Sequence, residues 1–297
     1  MTVLALDVGG STIRGSVRDA AGTTVAEHVV PTGDRDPGLG ELHRVATRLR
    51  DAAPDLGAPL RAVGVGMPEY VDPDGRLTSH EVLDWTEQPR SLLADVAPIV
   101  AVDSDVRCSA RAELTAGRPC DNLVVVSVGT GVSHAVIQAG RVIVGARGEA
   151  IGLGQLPVGE PRAGRRLSVE DVASGAGIAR RYLERTQRRP DDGAREVVRL
   201  AEEGDADALV LLHEAGHALA HAIWAVVQIL DPDRIVLTGG LGSAAGPLHS
   251  SLYDSYEALV QNRPGAASIE ISHFGDRAGL VGAEILARQA LEQEERR

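Results

Sequence analysis

The sequence predicts a two-lobed α/β protein, and three observations predict it. Apolar residues make up 43% of the 297, glycine is abundant at 34, and aromatics are only 2%, a balance that suits a globular α/β or α+β chain with an aliphatic core. A strand, a glycine turn and a returning strand occur at Val3–Val17 and again at Leu123–Gln138, which suggests two related lobes. Short buried strands and helical stretches fill the rest, and the length suits one large domain or two of ordinary size.

Val3-Leu4-Ala5-Leu6 reads as a buried strand, and Ile13-Arg14-Gly15-Ser16-Val17 as its return across a hairpin. Leu39, Leu42, Val45, Ala46 and Leu49 recur at helical spacing within 39–53. Arg61–Gly66 is a second buried strand closed by Met67-Pro68, and 69–91 reads as a long polar loop or short hairpin. Pro98–Val102 is a strand, and a helix from Ser104 to Ala116 starts at a Ser/Asp cap. Leu123–Val128 and His134–Gln138 repeat the opening pattern, and 145–166, rich in glycine and arginine, reads as loop. Helices are expected at 168–188 and 192–203, and a long apolar one at 206–230 that stops at Asp231-Pro232-Asp233. Ile235–Thr238 and Ile269–Ser272 read as strands, with a helix from about Pro247 between them and an amphipathic helix over Leu280–Gln293 to close. The expected division is a small N-terminal lobe at 1–104, with helix 280–297 packing back on it, and a large C-terminal lobe at 105–279.

Composition excludes several chemistries. All 30 basic side chains are arginine, so there is no P-loop lysine, no protein-kinase strand lysine and no Schiff-base lysine. Any phosphate must be held by backbone N–H groups, hydroxyls, arginine or a metal. A net charge of −12 argues against nucleic acid or an anionic membrane as partner. Cys108 and Cys120 are too few for a disulfide framework. No signal peptide is evident and no run approaches a membrane span, so the expectation is a cytoplasmic globular protein.

The chemistry-bearing candidates are turns. In Asp7-Val8-Gly9-Gly10-Ser11-Thr12 the glycines would let backbone approach a phosphate, Ser11 and Thr12 add donors, and Asp7 could hold magnesium through water; an ordinary hairpin turn is the competing reading. Gly129-Thr130-Gly131 offers a second such turn, so a triphosphate could be gripped from two lobes. Gly239-Gly240-Leu241-Gly242 either faces adenosine or merely joins a strand to a helix.

Taken in order, Asp7-x-Gly9-Gly10-Ser11, Gly64-Val65-Gly66-Met67-Pro68, Asp103-Ser104-Asp105, Ser127–Gly131, Ser174-Gly175, Asp231-Pro232 with Ile235–Gly240, and Gly279–Ala283 resemble the ROK family of sugar kinases and related repressors. The resemblance covers nearly the whole chain. It implies an actin-like/RNase H-like ATPase fold with a central cleft, and ATP-dependent phosphorylation of a hexose hydroxyl with Mg2+. It implies Asp105 as the general base, with a role as helix cap the competing reading, and Glu170 as a sugar ligand. Sugar and ATP are the implied partners, and a homodimer the implied assembly.

The departures lie on the sugar side. Asp103-Ser104-Asp105 stands where the family usually has Glu-Asn-Asp, so Ser104 replaces an amide. Gly152 and Gln155 fall where a sugar-binding glutamate and a zinc- and sugar-holding histidine are usual, and Glu149 could replace that glutamate if the loop is re-registered. The family's cysteine-rich zinc loop becomes Pro161, Ala163 and Ser168, so no structural zinc is expected. Glu69 follows Pro68 where the family has glycine, adding a carboxylate near the sugar. The combination points to an altered substrate, such as the amino sugars glucosamine or kanosamine.

Two rivals belong to other classes. His213-Glu214-Ala215-Gly216-His217 matches the H-E-x-x-H of zinc metallopeptidases, but Ile223 stands where a third metzincin histidine would fall, and polar positions on a helix face explain it as well. A non-catalytic sugar or nucleotide sensor is the other; a DNA-binding repressor is not expected, since the first strand begins at residue 3 and leaves no room for a helix-turn-helix.

Overall fold

The computed structural model describes residues 2–32, 38–52, 59–162 and 165–296. It divides into two compact units, one of 1–119, 142–151 and 277–297, the other of 120–141 and 152–276.

In the first unit, β1 (Thr2–Val8), β2 (Thr12–Arg18) and β3 (Thr24–Pro31) form an antiparallel meander. Helix α1 (Gly40–Asp51) follows, then β4 (Leu60–Met67), the short α2 (Pro89–Leu92) and β5 (Ile99–Ser104), with β4 and β5 running parallel to β1 in the order β3-β2-β1-β4-β5. Side chains alternate across a strand. Leu4 and Leu6 of β1 therefore pack with Leu42, Val45 and Leu49 of α1, whereas Val3 and Ala5 pack with Leu280, Ala283, Ala287 and Leu291 of the closing helix. Asp7 has the parity of Val3 and Ala5, so the pleat sends it to the closing helix. Strand β3 is half-exposed, with Val29 49% accessible, as an edge strand should be. Helix α3 (Asp105–Leu114) leaves β5 without a loop, because Ser104 is its N-cap and accepts from the Arg107 N–H at 3.4 Å.

The second unit repeats the arrangement. β6 (Leu123–Val128) and β7 (Val132–Gln138) form an antiparallel hairpin, continued by β8 (Arg141–Val142). The reading of 145–166 as loop is corrected. Gly152–Gln155 is a 3-10 turn, and β9 (Pro157–Arg162) pairs with β10 (Arg165–Ser168) as a separate ribbon. The continuous helix read over 168–188 is also corrected, being α4 (Val169–Ala173) and α5 (Gly175–Thr186) broken at Ser174, whose hydroxyl caps the second piece by accepting from the Gly177 N–H at 2.9 Å. After α6 (Gly193–Glu202), α7 (Ala206–Leu230) stops at Asp231, a left-handed residue at φ 46° before Pro232. Contrary to the sequence reading, α7 is long and apolar enough to cross a membrane by length and composition; 61% of its apolar window is nevertheless buried, and it packs on α8 (Pro247–Val260). β11 (Arg234–Thr238) and β12 (Ile269–Ile271) complete a sheet of order β12-β11-β6-β7-β8. In both sheets a hairpin is flanked by two parallel strands on the side of its first strand, so the repeat read from the glycine turns is a repeat of topology. The closing helix, α9 (Ala278–Glu295), belongs to the first unit.

Candidate functional site

In the first unit, the C-terminal ends of β1, β4 and β5 gather two carboxylates. Asp7 is the penultimate residue of β1, Asp105 starts α3 directly after β5, and Gly66 of β4 lies between them. A Cβ on Gly66 would meet the Asp105 backbone at 3.4 Å and the Asp7 carboxylate at 3.5 Å. Gly279, in the first turn of α9, is closer still: a Cβ there would lie 2.4 Å from Asp7 Oδ1. Two positions without side chains thus let a helix start and a strand close around Asp7. Asp105 keeps an opening to solvent, yet burial and then the Asp7 charge raise its carboxyl from the usual range to about 7, against the Val106 N–H, donating at 2.7 Å, and the Arg107 charge. A carboxylate poised near neutrality can take up a proton at working pH.

The turn after β1 is held from its carbonyl side. Thr32 donates its hydroxyl to the Gly9 carbonyl at 2.7 Å and its N–H to the Ser11 carbonyl at 3.0 Å. Within a planar trans peptide the N–H points opposite to the C=O, so the Gly10 and Thr12 amides are directed away from Thr32. Gly10 and Ser11 are exposed.

Glu69 is 2% accessible, and its carboxylate accepts from the Glu81, Val82 and Leu83 N–H groups at 2.7–2.9 Å and from the Ser79 hydroxyl at 2.5 Å. It therefore nests the 79–83 loop and brings Val82 to 3.2 Å from where a Gly10 Cβ would sit. Ser104, fully buried, spends its hydroxyl on the α3 cap. Direct sugar contact by Glu69 or Ser104 would compete with these bonds.

The second unit assembles its own cluster. The N–H groups of Gly175 and Ala176, which open α5, donate to the Gly129 and Thr130 carbonyls at 2.8 and 3.3 Å. By the same peptide geometry the Thr130 and Gly131 amides point away from α5. Glu170 accepts from the Val132 N–H at 2.8 Å and lies against Gly131 and Gly154, so it buttresses the turn from α4. The third turn wraps the end of β6: the Val128 carbonyl accepts from Leu241 and Gly242 at 3.0 Å each. Gly239, at φ +82°, allows this because a Cβ there would stand 2.5 Å from that oxygen. Gly129–Gly131, Gly239–Leu241, Glu170 and Ser174-Gly175 are therefore one connected group.

Other residues from the sequence reading fall elsewhere. Gln155 is exposed at the end of the 3-10 turn, and Glu149 is exposed and ion-paired with Arg147 at 3.0 Å. His213, Glu214 and His217 line the exposed side of α7, where Glu214 pairs with Arg181 and His217 meets the Ser255 hydroxyl at 3.3 Å. Among the described residues no group of three or more His, Cys, Asp or Glu side chains is placed to hold a metal ion. Ala163 of the zinc-loop segment lies outside them. Thr32 carried no local signal in the sequence. Gly66 did, since alternating glycines inside a buried strand mark a close approach.

Two α/β units of matching sheet order, each with a glycine turn after its first strand, define the actin-like ATPase fold class. The match to the ROK family runs over residues 3–290, and the chain belongs to that family. It is 27% identical to a glucokinase of Halalkalibacterium halodurans, with 96% of this chain and 94% of that one covered. It is 26% identical to a kanosamine kinase of Amycolatopsis mediterranei, over 96% and 95%. An N-acetylmannosamine kinase of Shigella boydii is 29% identical over 97% and 99%. Among solved structures, a ROK hexokinase from Thermus thermophilus superposes with a TM-score of 0.81 at 28% identity, covering 99% of this chain and 100% of that one. A Streptomyces griseus glucokinase in complex with glucose and AMPPNP gives 0.77 at 22% identity, over 97% and 100%.

Proposed function

We propose that this ROK-family sugar kinase transfers the γ-phosphoryl group of ATP to a hydroxyl of a hexose carrying an amino group, with Asp105 as the general base. The observation that carries the base assignment is Asp105 itself, partly open to solvent at the strand ends, with its carboxyl raised to about 7. The amides of 9–12 and 129–131 take the phosphates, Gly239, Gly240 and Leu241 lie by the adenosine, and Glu170, beside the 129–131 turn, is a sugar ligand. Gln155, exposed and next to Gly154, which packs on Glu170, is a further sugar contact.

Asp7 supplies a carboxylate and the turn that follows it supplies the Ser11 and Thr12 hydroxyls, oxygen donors of the kind that a hard cation such as the Mg2+ accompanying ATP takes. Asp7 would hold that ion through water, and bound there it would neutralise charge on the transferred group. Asp105 accepts the proton of the attacking hydroxyl, while the turn amides hold the phosphate oxygens in line.

An amino substituent is favoured by charge. The Asp7 charge, with a smaller contribution from Glu69, adds to that of Asp105 against a single opposing Arg107, so a cationic substrate is attracted where a neutral one is not. The kanosamine kinase among the relatives supports this choice. The test is kcat/KM at pH 7 for glucosamine and kanosamine against glucose. An amino-sugar preference of ~10-fold or more supports the reading, and full activity on glucose with none on amino sugars overturns it. Family resemblance also supports a cytoplasmic homodimer, which sedimentation of the purified protein tests.

Two predictions follow from the geometry around Asp7 and Asp105. Because the base must be ionised, kcat/KM should rise about tenfold per pH unit below about 7 and level off above it; a profile flat from pH 5 to 9 would contradict this. Gly279→Ala should push the Asp7 carboxylate aside and raise the KM for ATP ~10-fold or more, leaving the sugar KM within about twofold. Equal effects on both would argue for general distortion instead.

A further inference from the structure

Arg107 is among the largest fully buried side chains of the described residues, at 0% accessible, and the base assignment gives it no task. It sits two residues after Asp105, in the first turn of α3. Its guanidinium spans three segments of the first unit. Nε meets Asp103 Oδ1 at 2.5 Å, Nη2 donates to the Val71 carbonyl at 2.6 Å, and Nη1 donates to the Gly148 carbonyl at 3.0 Å. Val71 follows Glu69 by two residues and bridges to Leu77 ahead of the 79–83 loop that Glu69 nests, and Gly148 belongs to the returning segment 142–151.

The two carbonyls converge because their backbones touch. Gly148 is at φ +82°, and a Cβ there would lie 2.0 Å from the Val71 oxygen, so only glycine brings this segment down onto the loop. The planar fork of an arginine then satisfies both carbonyls and a carboxylate at once, which a lysine ammonium on a flexible stem cannot match. Asp103 is shared with Arg111 at 2.6 Å, so Arg107 is not needed to neutralise that carboxylate. A second cation brought into a buried place is costly unless its hydrogen bonds are needed.

We propose that Arg107 is a positioning residue: it ties the loop around Glu69 and the segment 142–151 to the helix turn that carries Asp105, so that the sugar-side segments and the base keep one fixed geometry. The inference rests on the reading of Asp105 as the base and deepens it. Arg107 makes no hydrogen bond to a reacting group; its charge opposes the rise of the Asp105 carboxyl, and its bonds act through the backbone of Val71 and Gly148 and the start of α3.

The test compares Arg107→Met, Arg107→Lys and Asp105→Asn in the full-length protein, reading kcat and the KM values for sugar and ATP separately. Arg107→Met leaves Asp103 paired with Arg111, so no carboxylate is stranded. The expected result is a kcat lowered ~100-fold and a sugar KM raised ~10-fold, with the KM for ATP within about twofold of wild type. Arg107→Lys, keeping the charge and part of the donor set, should recover part of the kcat loss. A folded Arg107→Met with wild-type kcat and sugar KM overturns the proposal, as does a loss that falls equally on ATP and sugar. Should the methionine variant not fold, Arg107→Lys carries the test: an unchanged sugar KM and kcat in it has the same meaning. Asp105→Asn separates the two readings, since wild-type turnover there removes the base assignment whatever the Arg107 variants do.

Discussion

Asp105→Asn should lower kcat by ~10²–10⁴-fold while leaving a folded and more heat-stable protein. The amide keeps the shape of the carboxyl and cannot accept the hydroxyl proton. Turnover then falls back on the positioning and charge stabilisation that the phosphate turns supply. The stability sign follows from the direction of the shift. Asp105 holds its proton more tightly in the folded chain than when unfolded, so between its ordinary value and about 7 the unfolded state gains by ionising while the folded state does not. The folded state is thus penalised progressively as pH rises through that window, and fully above it. Removing the titrating group removes the penalty, so the variant's Tm should exceed wild type at pH 8, by ~2 °C or more, and the difference should vanish near pH 4. A variant with near-normal kcat removes Asp105 as the base, and one that is less stable at pH 8 contradicts the account of its burial. A trade of stability for activity at this position is what a buried catalytic carboxylate entails.

Gly282→Ala should destabilise the first unit by about 3 kcal/mol, a Tm loss of ~6–12 °C, and lower kcat as well. A Cβ at 282 would lie 1.7 Å from the Cys108 carbonyl oxygen and 2.2 Å from its carbon. Helices α3 and α9 therefore meet backbone to backbone, and no side chain can rotate away to make room. Gly64 has the same relation to α9, its Cβ falling 1.9 Å from the Ala283 oxygen. One methyl group must separate α9 from α3, from β4, or from both. Because α9 brings Gly279 to Asp7, and α3 carries Asp105, the separation reaches both carboxylates. Calorimetry and kcat on the same preparation check this, and a Tm within 2 °C of wild type would contradict the close helix packing.

The sequence makes the duplicated hairpins, the strand runs, the helix start at Ser104 and the stop at Asp231-Pro232 legible because each is a local signal: apolar runs, glycine turns, a capping hydroxyl, a proline. What it leaves hidden is non-local. Thr32 reaches the 9–12 turn only once β3 has paired with β2, and nothing around residue 32 advertises that. Glu69 reads as a spare carboxylate near the sugar, yet its oxygens are engaged by the 79–83 backbone ten and more residues on. The ribbon of β9 and β10 is masked by a composition of glycine and arginine that resembles loop. Arg107 is invisible for the reason opposite to Glu69: a lone arginine on a helix reads as a solvent-facing residue, and only the fold reveals three acceptors waiting for it.

The central claim is transfer of the terminal phosphoryl group of ATP to a hexose hydroxyl, and phosphorus NMR of a reaction with ATP, Mg2+ and an amino hexose tests it most directly. The account predicts one new sugar-phosphate resonance growing in equal amount with ADP, and neither growing with Asp105→Asn. Inorganic phosphate accumulating with ADP in place of a sugar phosphate, or no ADP with any hexose, would contradict it.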